Sequence, residues 1–191
     1  MSTTKAHLRS VDISMSDSDG EEVASCVIKP KSGTFECTIT VPQASYDRVL
    51  KLLPDNAERT KTEGESSEFV FALRVETQFA AAELFESLFR RKHRAHIMHV
   101  YETWNGPRCD PFTILEDDHG STSLTVLPGY NREGPVQLAY LAALRASDLC
   151  EHAQPLRFGD VDVTLTAQAA EQREATFLAL ADLFVQVKAG G

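Results

Sequence analysis

The chain has 191 residues, 42% hydrophobic and 25% charged, with a formal net charge of −9 and a pI near 5.1. That size suits one globular unit burying roughly 70% of the surface its unfolded chain exposes. The negative charge disfavours generic binding to nucleic acid or anionic membrane and leaves only local recognition by a basic patch. No run approaches the roughly 20 apolar residues of a membrane span, and residues 1–24 lack the apolar core of a secretory signal, so the sequence reads as a cytoplasmic protein.

Residues 1–22 are rich in Ser, Thr and Asp and end in Ser16-Asp17-Ser18-Asp19-Gly20-Glu21-Glu22. This is the composition of a flexible acidic tail, with a single α+β domain expected over 23–191. Residues 23–29 and 34–41 carry β-branched and aromatic residues on either side of Pro30-Lys31-Ser32-Gly33, which predicts a hairpin. Pro42 opens a helix over 43–53, where Tyr46, Val49, Leu50 and Leu53 fall at helical spacing and Pro54 ends the run. Residues 55–67 read as an exposed loop.

Alternation of Phe69, Phe71, Leu73 and Val75 predicts a strand over 68–76. Thr77 is then the N-cap of a helix over 78–93 with Ala81, Leu84, Phe85, Leu88 and Phe89 on its buried stripe. A strand over 96–103 follows. Strand, helix and strand joined so briefly predict a right-handed crossover and a parallel pair. A loop over 105–111 leads to a second hairpin, 112–116 with 121–127, around Asp117-Asp118-His119-Gly120. Residues 128–134 break the pattern. An apolar helix over 135–149 should be buried on several sides. The strand expected over 157–166 alternates Phe158, Val161, Val163 and Leu165 with Gly159 interrupting, and a final helix spans 167–188. The order predicts a two-layer α+β sandwich, a mixed β-sheet with about four helices mainly on one face, in its most specific version a ferredoxin-like core with an inserted hairpin.

Cys26, Cys37, Cys109 and Cys150 show no metal-binding spacing, and reduced thiols are expected. Cys26 and Cys37 face each other across the first hairpin only if its turn centres on Lys31-Ser32; a turn at Ser32-Gly33 breaks that register.

The densest local signal is Arg90-Arg91-Lys92-His93-Arg94-Ala95-His96-Ile97-Met98-His99, a basic, histidine-rich run in an acidic chain. Cations in the last turn of a helix complement its dipole, which accounts for them structurally. The functional reading makes Arg90, Arg91, Lys92 and Arg94 a patch for phosphates or an acidic protein surface, with Tyr101 and Trp104 as platforms for stacking a base. His93, His96 and His99 suggest a metal site, completed by Asp117, Asp118 or His119, only if the helix continues to His99 and brings the three onto one face; on a strand His96 and His99 point to opposite faces. No nucleophile elbow, phosphate loop or dinucleotide fingerprint is present.

The leading expectation is a non-enzymatic protein-interaction or assembly module that docks on a protein partner or on a second copy through a charge-polarised surface. No catalytic residue, metal ligand or cofactor is assigned. A phosphate or nucleic-acid binding module using the same patch is the alternative, and a metal-dependent hydrolase using His96, His99, Asp117 and Asp118 a second one.

Overall fold

The computed structural model describes residues 5–60, 68–89, 93–105, 108–117, 119–129 and 134–190. Among these are ten strands and five α-helices, so the fold is α+β with the sheet dominant. The chain divides into two compact units, one from Ser10–Ile97 and the other from Met98–Gly191 with the described residues of Met1–Arg9.

The first unit is built on β1 (His7–Ser16), β2 (Glu22–Lys31), β3 (Thr34–Pro42), β4 (Glu58–Thr60) and β5 (Glu68–Val75), which lie in the order β4-β5-β3-β2-β1. Val11, Ile13 and Met15 of β1, Ala24, Cys26 and Ile28 of β2, Cys37, Ile39 and Val41 of β3, and Phe71 and Leu73 of β5 are buried. Alternate positions therefore turn to one covered face. The helix α2 (Gln78–Phe89) packs on β2, β3 and β5, burying Ala81, Ala82, Phe85, Leu88 and Phe89. Thr77 caps it, its Oγ1 accepting from the Ala80 N–H at 3.1 Å. The shorter α1 (Tyr46–Leu52) buries Val49 and stacks Tyr46 at 5.7 Å from Phe71.

The second unit runs residues 98–105 of β6 (Arg94–Asn105), β7 (Arg108–Glu116), β8 (Ser123–Pro128), β10 (Val161–Leu165) and β9 (Cys150–Pro155) side by side. Two long helices, α3 (Pro135–Arg145) and α5 (Arg173–Gly190), pack on one another, and the short α4 (Ala167–Glu171) precedes α5. Phe112 of β7 meets Tyr140 of α3 at 5.8 Å and Phe184 of α5 at 5.6 Å. Tyr140 is buried, and its hydroxyl donates to the Leu180 carbonyl at 3.1 Å, so the phenol is satisfied without water.

Several expectations are corrected. The stretch read as a tail holds β1, antiparallel to β2 with Val11 opposite Ile28 and Met15 opposite Ala24. Its polar composition is that of a strand with one buried face, because Asp12, Ser14 and Ser16 fill the alternate positions. Every described strand pairing is antiparallel, not mixed. β5 lies between β3 and β4 and does not neighbour β6, so the parallel pair that a ferredoxin-like core needs is not formed. Part of the expected loop over 55–67 is β4, and the rest lies outside the described residues. The first hairpin turns on Ser32-Gly33, with φ of 49° and 83° as a type I′ turn requires. Cys26 therefore sits opposite Ile39 and Cys37 opposite Ile28. β9 and the break between α4 and α5 have no counterpart in the expected elements.

Candidate interaction surface

The most unusual local geometry in the second unit is the link from β9 to β10. The Leu156 N–H donates to the Asp160 carbonyl at 2.8 Å, closing a tight turn around Arg157, Phe158 and Gly159. Phe158 sits at φ 63° and ψ 23°, and Gly159 follows at φ 76°. Glycine adopts the left-handed region freely, whereas a bulky side chain is strained there by about 1–2 kcal/mol. The strained ring is also 70% exposed. Leu138, on the outer side of α3, is 69% exposed, and Leu156 is exposed beside them. Gly134, with φ 145°, brings the chain into α3, and Pro135 at its first position has no N–H to leave unpaired.

Together these segments form a groove of about 520 Å³ lined by Leu138, Leu141, Pro155, Leu156, Phe158 and Val161. Arg157, next to Phe158, and Asp160, beyond Gly159, also line the groove. Apolar side chains gathered in this way make a candidate contact surface, unlike single exposed leucines scattered over a protein. The neighbouring strand edge is partly blocked. β9 ends the strand order, but the Arg145 Nε donates to the Ala153 carbonyl at 2.9 Å and Pro155 offers no N–H. Both features discourage addition of a further strand.

A second cluster lies inside the same unit. The His99 Nε2 is 2.6 Å from Glu116 Oε2, and Arg173 pairs with the other oxygen of Glu116 while donating to the Ser121 carbonyl at 2.8 Å. His99 and Glu116 are buried. Burial, and then the charge of Arg173, push the His99 pKa down to about 3, so the imidazole is neutral and donates its Nε2 proton to the carboxylate. The Phe177 ring stands edge-on to His99 at 4.8 Å and lies under Arg173 at 5.0 Å. Each charge is compensated within the group, so it is an internal brace tying β6, β7 and α5.

The residues expected to form a site fall only in part among the described residues. Arg90, Arg91 and Lys92 lie outside the described residues, and Arg94 is exposed at the start of β6. Tyr101 is buried with its ring 6.4 Å from Phe112, so it presents no platform to a base. Trp104 belongs to β6, but its side chain is outside the described residues. His96 is exposed and His99 buried, the opposite faces that strand geometry predicts. Asp117 is exposed, Asp118 is outside the described residues, and no three His, Cys, Asp or Glu side chains among the described residues converge on one point.

Sequence reading assigned Phe158 to a strand face and placed Leu138 on a helix buried on several sides. The signal was Gly159, which interrupts the alternation and with Phe158 and Asp160 makes a turn rather than a strand. No helix among the described residues is long and apolar enough to cross a membrane. The chain matches no family model, no curated protein and no solved structure.

Proposed function

We propose that the chain is a non-catalytic interaction module that associates with a second copy of itself through the groove between α3 and the β9–β10 turn. The observation that carries this reading is Phe158, an exposed aromatic ring held in a strained conformation beside an apolar hollow. A knob adjoining a hole is self-complementary under a twofold axis, because each copy's ring enters the other's groove. Arg157, exposed at the edge of the groove, supplies a polar border of the kind such contacts carry. An aromatic anchor with an apolar surround and a charged rim is also the usual anatomy of an interface. This reading keeps the interaction class expected from the sequence and moves the surface away from Arg90–Arg94.

Light scattering on the purified full chain tests the proposal. The parent should weigh twice 21.1 kDa as concentration rises, and Leu138→Asp, altering an exposed helix position, should stay at 21.1 kDa with an unchanged circular dichroism spectrum. A parent that remains monomeric, or a variant that associates as the parent does, overturns it.

A further inference from the structure

Cys26 of β2 and Cys37 of β3 are both buried on the face that α2 covers, and their Sγ atoms are 3.2 Å apart. All four cysteines are free thiols. The turn at Ser32-Gly33 takes the two out of direct opposition, yet leaves them diagonal neighbours on one face of an antiparallel pair. Side chains so placed still reach each other, although the Cα atoms of such pairs are roughly 7–8 Å apart. Unstrained disulfides span about 4.4–6.8 Å between Cα atoms, with sulfurs bonded at about 2.05 Å. Closing this pair therefore needs roughly 1.2 Å of sulfur movement and a small inward shift of two strands. In the reduced chain the hydrogen bond with Cys37, and then burial, hold the Cys26 thiol well above its ordinary pKa.

We propose that Cys26 and Cys37 are a reversible dithiol–disulfide couple, oxidised by a small peroxide and tying β2 to β3 beneath α2. Two thiols and one hydrogen peroxide give one disulfide and two waters. One sulfur, in the minor thiolate form that the raised pKa makes scarce and the reaction correspondingly slow, attacks a peroxide oxygen; the O–O bond breaks, the departing hydroxide takes up the proton that sulfur had lost as the first water, and a sulfenic acid remains. The second sulfur then attacks the sulfenic sulfur and forms the S–S bond. The displaced hydroxide takes the second thiol's proton and leaves as the second water. Burial restricts the reaction to a small neutral oxidant, and the diagonal placement strains the product, making it readily reduced. The couple is independent of the groove in the other unit, so either proposal stands or fails alone.

The test uses the full chain treated with hydrogen peroxide, quenched, unfolded, alkylated and digested with trypsin. Lys29 precedes Pro30 and resists cleavage, so cuts after Arg9, Lys31 and Arg48 put Cys26 on peptide 10–31 and Cys37 on peptide 32–48. The expected result is these two peptides joined, lighter by two hydrogens than their sum, separated by dithiothreitol, with Cys109 and Cys150 alkylated. The Cys109→Ser, Cys150→Ser double variant should give the same joined pair. Recovery of both peptides alkylated and separate, oxidation to sulfinic acid without linkage, or linkage to Cys109 or Cys150 would overturn the proposal.

Discussion

Replacing Arg173 by Met removes the cation from a buried carboxylate while keeping much of the side chain's length. Glu116 is held by Arg173 on one oxygen and by His99 at 2.6 Å on the other. Deleting one side of a buried ion pair costs about 3–5 kcal/mol, because the remaining charge stays desolvated. The low end, about 3 kcal/mol, is expected here because His99 offers relief. Arg173 is one of the two influences that keep the imidazole neutral. Without it, one of the two influences lowering the His99 pKa is gone, while burial, the larger one, remains. The variant's His99 therefore takes a proton at a higher pH than the parent's, though still below the unfolded value near 6.5, and becomes the counter-ion of Glu116. The deficit of Arg173→Met relative to the parent should thus be largest near neutrality and shrink as pH falls through the acid range below about 6.5. Urea unfolding followed by circular dichroism measures it. A cycle with Glu116→Gln should show a coupling of about 0.5–3 kcal/mol, as for other residues in contact. A loss under about 1 kcal/mol for Arg173→Met, or losses that add within about 0.5 kcal/mol, would refute the brace.

In the parent chain the same histidine works in the opposite sense. With a folded pKa near 3 against about 6.5 unfolded, His99 makes stability fall by up to about 1.4 kcal/mol per pH unit as pH drops from 6.5 toward 3; His99→Gln should flatten the fall in urea midpoint, and parallel curves would contradict this. Gly129 has φ 81°, and an added Cβ would lie 3.3 Å from Phe184 Cζ, so Gly129→Ala should destabilise by about 1–2 kcal/mol; an unchanged melting temperature would show that the site relaxes. Ser32→Asn creates the Asn-Gly pair favoured in type I′ turns and should raise stability by roughly 0.5 kcal/mol or less; a fall in melting temperature would count against the assigned turn.

Segments that bury one regular face were legible in the sequence. The first hairpin, α2 with its Thr77 cap and the β7–β8 hairpin all show apolar residues at the period of their element. β1 was hidden because composition averages its two faces, and its Ser and Asp residues outweigh Val11, Ile13 and Met15 unless the alternation is followed residue by residue. β9 buries Ala153 alone among its six residues, so it carries no periodic signal. Gln172, where α4 gives way to α5, is neither Gly nor Pro and announces no break. Strand pairing was the largest loss: alternation identifies a strand but not its neighbour, and β5 chose β3 and β4 over β6. For the candidate surface, charge density drew attention to Arg90–Arg94. The apolar groove depends on Leu138 and Phe158, residues about 20 apart whose exposure follows from tertiary placement, and the strain at Phe158 is a backbone property that residue type conceals.

Sedimentation equilibrium of the parent and Phe158→Gly bears most directly on the proposed association, because glycine removes the ring and suits the left-handed backbone it leaves behind. The account predicts a parent mass rising toward twice 21.1 kDa with concentration, and a variant fixed at 21.1 kDa. A parent that never exceeds the monomer mass, or a variant that dimerises as the parent does, would contradict it.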